Sequence, residues 1–141
     1  MKKMLIVLLI LSVGMAFSQT KTAEYIGSKK CKMCHSKPDV GSQYSIWEKG
    51  PHSGSLETLK TDAAKAIAKK MGLKVAAEQA PECLTCHVTG WGTKSGYQLE
   101  VDPLNKKAVK KNKDLSRVGC ETCHGAGSLY KSKKTKAALA A

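Results

Sequence analysis

The chain has 141 residues, with 24 basic against 11 acidic side chains for a formal charge of +13, and only one Phe, two Trp and four Tyr. That length leaves room for one small domain, and so few large aromatics exclude a thick core built from side chains alone. A balance this basic ordinarily points to nucleic acid, anionic lipid or an acidic protein partner.

The first residues read as an address. Met1-Lys2-Lys3 is a positive start, Met4 to Phe17 an apolar run, and Ala16-Phe17-Ser18 a small-x-small cleavage site. These predict a signal peptide over residues 1–18 and a single mature domain over 19–141. The apolar run is shorter than the roughly 20 residues of a spanning helix, and no cysteine stands at the cleavage site to accept lipid. No stable membrane insertion is therefore expected once the segment is removed, which leaves 22 basic and 11 acidic side chains.

Residues 19–30 are polar and basic and end in Tyr25-Ile26-Gly27, which lead into Cys31-Lys32-Met33-Cys34-His35. The same C-x-x-C-H spacing returns at Cys83-Leu84-Thr85-Cys86-His87 and at Cys120-Glu121-Thr122-Cys123-His124. In a c-type haem attachment signature, two thiols form thioethers with the haem vinyl groups and the adjacent imidazole reaches the iron. Zinc ribbons and disulfide frameworks also use paired cysteines, but neither requires a histidine after each pair. Three of the chain's four histidines stand in that position. The motifs thus predict three c-type haems, with Cys31, Cys34, Cys83, Cys86, Cys120 and Cys123 as the covalent links and His35, His87 and His124 as proximal iron ligands.

Between the first and second motifs, Ser36-Lys37-Pro38-Asp39 reads as a turn, and Tyr44 and Trp47 share a helical face suited either to packing or to covering a haem. Gly50-Pro51-His52 carries the one histidine outside the motifs, making His52 the candidate for a distal iron ligand. Residues 56–71 read as one helix, capped by Ser55 and closed by Gly72, with Met71 on its apolar face as packing or as a thioether ligand. Lys74 to Gln79 suggest another helical turn, and Pro81 an extended approach to the second motif.

The second and third motifs share C-x-T-C-H-x-x-G, a weak internal repeat. Between them Tyr97-Gln98-Leu99-Glu100-Val101 alternates like a short strand, and Asp102-Pro103 reads as a helix start. Lys106 to Lys113 hold five lysines, and Lys131, Lys133, Lys134 and Lys136 form a second basic cluster. Such runs are solvated surface or a docking face. The fold class expected is mainly α with little regular β, a small haem-packed domain.

Tyr25-Ile26-Gly27 before the first motif, His52 five residues after Trp47, and the Glu82–Gly90 and Val118–Ser128 stretches together resemble the multihaem cytochrome c family that includes the tetrahaem electron acceptor of hydroxylamine oxidoreductase. The resemblance covers nearly all of residues 25–130. It implies closely spaced haems that pass electrons, proximal roles for His35, His87 and His124, and a distal role for His52 on another haem. This chain has three motifs where tetrahaem relatives have four, and Tyr130 stands where relatives often place an axial histidine. Tyr130 is thus a candidate ligand or a packed phenol.

These readings make the chain an electron carrier in the periplasm, where c-type haem attachment is completed in bacteria. Each haem brings one to two negative charges, depending on iron oxidation state, so part of the lysine excess offsets propionates and the rest suits an acidic redox partner. Nucleic acid is not expected as a partner. With one spare histidine for three irons, three arrangements follow: a carrier with all irons capped, a haem enzyme or sensor binding nitric oxide or a similar molecule at an open iron, or an oligomer that supplies ligands between chains.

Overall fold

The computed structural model describes residues 21–132. The signal segment read over residues 1–18, and the lysines at 133, 134 and 136, lie outside the described residues.

Seven α-helices occur among these residues: α1 Lys32–His35, α2 Gln43–Lys49, α3 Ser55–Thr58, α4 Asp62–Lys70, α5 Pro81–His87, α6 Lys106–Leu115 and α7 Cys120–His124. Short 3₁₀ turns at Ser28–Lys30, Pro38–Val40, Pro51–Gly54, Ala77–Gln79 and Gly127–Leu129 join them. No strand forms among the described residues, so the mainly helical class holds. None of these helices exceeds ten residues. Helices that short do not persist alone in water, so packing and side-chain ties must hold them.

Each C-x-x-C-H unit lies on a helix that ends at its histidine: α1 at His35, α5 at His87 and α7 at His124. One helical turn brings the first cysteine of each motif alongside its histidine. The Pro38–Val40 and Ala77–Gln79 turns fall where turns were read, and α2 carries Tyr44 and Trp47 with ring centroids 5.3 Å apart.

The single helix expected over 56–71 is two helices. Thr61 is extended (φ −71°, ψ 158°) and its hydroxyl accepts from Ala64 N–H at 3.3 Å, making it the cap of α4. Thr58 and Thr61 donate to the carbonyls of Ser55 and Thr58 at 2.6 and 2.8 Å, local bonds that compete with helix propagation. Ser55 is consequently not a cap: it has helical torsions (φ −58°, ψ −39°) and its hydroxyl is used elsewhere. Gly72 does close α4, at φ +72°, a conformation glycine adopts without steric cost.

The strand expected at 97–101 does not form, because no second strand pairs with it. Tyr97 N–H donates to the Thr89 carbonyl at 3.0 Å, and the Asn112 side chain bonds both Gln98 N–H and Gln98 carbonyl at 2.8 Å. A side-chain amide of α6 thus stands in for a neighbouring strand. The helix expected from Asp102-Pro103 begins later: Asp102 makes a turn by accepting from Leu104 N–H at 2.9 Å, and Asn105 caps α6 by accepting from Ala108 N–H at 3.0 Å.

The apolar core is small. Leu56, Leu59, Ala68, Ala77, Leu84 and Val88 cluster between α3, α4 and α5, with Leu73, Trp91 and Tyr97 against them. Polar ties do the rest. The Glu121 carboxylate, 1% exposed, accepts from Ile26, Gly27 and Gly127 N–H at 2.6–3.1 Å. Ser28 accepts from Cys120 N–H at 3.1 Å, and Asp114 from Lys29 N–H at 2.9 Å. Gly27, at φ +88°, passes so close to Asp114 that a Cβ there would meet its carboxylate at 2.3 Å.

Replacing Glu121 by Gln puts an amide donor among backbone donors. Because hydrogen bonds to a charged acceptor contribute about 1.5–3 kcal/mol each, Glu121→Gln is expected to lower the unfolding free energy of the holoprotein by about 2–4 kcal/mol, read by denaturant titration.

Candidate functional site

The second motif is approached through Ala80, held extended (φ −80°, ψ 124°) by the proline that follows, and Pro81 then opens α5. Cys83, Cys86 and His87 line a cavity of about 430 Å³ whose other wall is the apolar side of α4, including Ala64 and Ile67, and Met71 just past its end. Ile67 and Met71 are 58% and 55% exposed, apolar surface that a macrocycle in this cavity would cover. His87 Nδ1 lies 2.8 Å from the Ser55 carbonyl. A carbonyl only accepts, so Nδ1 carries the proton and Nε2 keeps the lone pair that a metal requires.

The first and third motifs open onto a second cavity, of about 540 Å³, lined by Cys31, His35, Cys120, Cys123 and His124 together with Tyr44, Trp47, His52 and Tyr130. Motifs far apart in sequence thus share one space. The Cys31 and Cys120 thiols meet there, and Cys120 is lowered to about 6, chiefly by that contact, with the Ser28 hydroxyl, backbone N–H and His124 adding to it against the opposing effect of burial. Trp47 is fixed by its Nε1–H, which donates to the Val118 carbonyl at 2.9 Å, and by the Arg117 guanidinium 5.7 Å over its ring.

His52 lies on the cavity shared by the first and third motifs and not on that of the second, whereas Met71 lies only on the second. Tyr130 reaches the shared cavity, but its hydroxyl donates to the carbonyls of Gly125 and His124 at 2.8 and 3.1 Å. Burial raises its pKa, and Glu121 and the Cys31 and Cys120 thiols add to the rise. A tyrosinate on iron would have to give up both bonds.

Sequence reasoning missed Ser55, Ser28, Thr89 and Glu121 as the residues that position these motifs. Thr89 Oγ1 donates to the Arg117 carbonyl at 2.7 Å and accepts from Gly119 N–H at 3.0 Å, so the 2.9 Å contact with Thr122 is a bond donated by Thr122. Of these four, Glu121 carried a signal as a spacer position of a motif, and Ser55 one that read as a helix cap.

Both cavities fall within the 300–1,000 Å³ typical of ligand sites, and each motif brings thiols and imidazole to its cavity wall. The donor set fits covalently held haem.

Tyr130→Phe removes the one hydroxyl proton shared between the Gly125 and His124 carbonyls and tests the packed-phenol alternative. The expected outcome is an unchanged ferric spectrum with a loss of about 1 kcal/mol in denaturant unfolding. Tyr44, Tyr97 and Tyr130 are all raised above 10.0, each first by burial, so they stay protonated when folded at a pH where the unfolded chain ionises. Stability is therefore expected to fall as pH rises above 10, less steeply in Tyr130→Phe, when unfolding is followed between pH 9 and about 11.5.

The family model described as cytochrome c554 and c-prime matches residues 30–125, an interval that includes all three motifs. Cytochrome c-554 of Nitrosomonas europaea is 33% identical over 120 residues, covering 84% of this chain and 45% of that relative. The chain therefore spans a little under half the length of that curated protein. No solved structure matches it. With the motifs, the helical framework and the family match in agreement, the chain belongs to the cytochrome c554 and c-prime family of c-type cytochromes.

Proposed function

We propose that this chain is an exported, periplasmic cytochrome that carries electrons between redox proteins through three covalently bound haems. The observation that carries the reading is the shared cavity: the first and third motifs and His52 line one space, and the second motif is tied to the third through Ser55 and Thr89. Bound haem supplies reversible one-electron exchange at iron, and the protein contributes the axial ligands, the burial and the spacing.

In this reading the six cysteines hold the porphyrins, and His35, His87 and His124 are the proximal ligands. The Ser55 carbonyl fixes the tautomer of His87 and raises the basicity of its free nitrogen. His52 is the distal ligand of a haem on the first or third motif. Tyr130 packs as a phenol, and the apolar walls keep water from the cofactor faces.

The partner we propose is an acidic redox protein. On α6, Lys106, Lys107, Lys110 and Lys113 are exposed, and the lysine–carboxylate pairs Glu57–Lys60 and Asp62–Lys65 lie elsewhere. A second reading, a reactive iron at the second motif, is favoured by one observation: His87 is the single imidazole on that cavity, with Met71 its one thioether.

Mass analysis of the purified holoprotein is expected to give three haems. His52→Ala keeps all three and converts one low-spin ferric signal to high spin in electron paramagnetic resonance; an unchanged low-spin count refutes the assignment. Carbon monoxide added to the reduced wild-type protein separates the two readings: no spectral shift fits a carrier with every iron capped, and an adduct fits the reactive iron. The charge reversals Lys106→Glu and Lys110→Glu are expected to slow electron transfer with an acidic partner at low salt. The difference closes near 1 M salt, where the screening length is about 3 Å.

A further inference from the structure

Ser55, 6% exposed, is where three segments of the chain meet. Its hydroxyl donates to the His87 carbonyl at 2.7 Å and accepts from Val118 N–H at 2.8 Å. Its carbonyl accepts from His87 Nδ1 at 2.8 Å and from Thr58 Oγ1 at 2.6 Å. The carbonyl is available for the ring because α3 stops early, with Leu59 N–H bonded to the Leu56 carbonyl at 3.1 Å. Val118 N–H also reaches the His52 carbonyl at 3.2 Å, and Val118 stands two residues before Cys120. One serine therefore grips the ring and backbone of His87 and holds the segment that delivers Cys120, beside the backbone of His52.

We propose that Ser55 is a positioning residue that couples the iron site of His87 to the third attachment motif, so that a change of oxidation state at one centre is felt at the other. The proposal rests on the reading that residues 83–87 and 120–124 both carry haem. An imidazole bound to ferric iron is the stronger hydrogen-bond donor at its far nitrogen, and on reduction that bond weakens. Here the acceptor is the Ser55 carbonyl. A change in that bond acts on a residue whose hydroxyl is committed to Val118 N–H, and the route from His87 to Cys120 consists of two hydrogen bonds and otherwise covalent bonds. Ser55 is buried, so bulk water screens these bonds little.

Thr89 makes a parallel tie from the second motif to Gly119 N–H at 3.0 Å, so the two segments stay together when the Ser55 hydroxyl is removed. Two variants test the proposal in opposite directions. Ser55→Ala removes the hydroxyl anchor and loosens the ring bond; Thr58→Val removes the donor that competes for the carbonyl, together with the weaker 3.4 Å contact of Thr58 Oγ1 with His87 Nδ1, and leaves the ring and the Ser55 carbonyl to each other. Thr58 is exposed, which keeps the second variant available if the first does not fold.

In full holoprotein whose three haems have been counted by mass, reduction steps are followed by spectroelectrochemical titration. Each step is assigned to its motif by the hyperfine-shifted haem-methyl resonances. The expected result is that Ser55→Ala raises the reduction step of the His87 centre and also shifts that of the third motif, while the first-motif step holds. Thr58→Val should lower the His87 step with an opposite movement at the third, and Ser55→Thr, which keeps the hydroxyl, should restore the wild-type titration. A shift confined to the His87 centre in both variants, or titrations that superimpose on wild type, overturns the coupling while leaving the electron-carrier reading intact. A wild-type count below three haems overturns that reading, and the coupling with it.

Discussion

The Glu121 carboxylate is the constraint on which the rest of the molecule depends. It sits in a spacer position of the third motif, buried, and collects N–H groups from the segment before the first motif and from the loop after its own helix. A charge withdrawn from water is tolerable only where donors converge on it, and here the donors are backbone. The arrangement fixes the path of Ile26 and Gly27, and that path delivers Ser28 to Cys120 and Cys31 to the wall it shares with Cys120. The third motif, a candidate attachment site, is thus also the post to which the first is fastened.

The second motif is held by a different kind of contact. Around it lies most of the conventional core, Leu56, Leu59, Leu84 and Val88, together with an apolar cavity wall on α4 where Ala64 meets that core and Ile67 is left exposed. The first and third motifs have little such core and rely on carboxylates and hydroxyls meeting backbone N–H groups. Polar ties are directional and set position closely, which suits a pair of sites that must face each other. Apolar packing is more permissive and suits a site that opens onto a cavity of its own.

Much of the site was legible in the sequence because it is local. The C-x-x-C-H spacing, the Tyr44–Trp47 face and the Gly72 helix end each depend on residues a few positions apart. The pairing of the first motif with the third is not local, since its bonds join residues 94 and 95 positions apart and no periodicity reports them. The same limit explains the errors: Ser55 looked like a cap because Ser is a good cap, yet its hydroxyl was committed to residue 87. Tyr97 to Val101 looked like a strand because alternation suits one, yet the partner present was the side chain of Asn112.

The contact between Cys31 and Cys120 has a consequence for how such a protein is made. Two thiols from different motifs lie against each other, and the contact with Cys31 lowers the pKa of Cys120, favouring its thiolate. In an oxidising compartment a reactive thiolate beside a second thiol is a crosslink in waiting, and that crosslink would remove one anchor from each of two cofactor sites at once. Thioether formation at either cysteine abolishes the hazard. Under the three-haem reading, thioether formation ahead of chain closure keeps these two cysteines from competing with the cofactor.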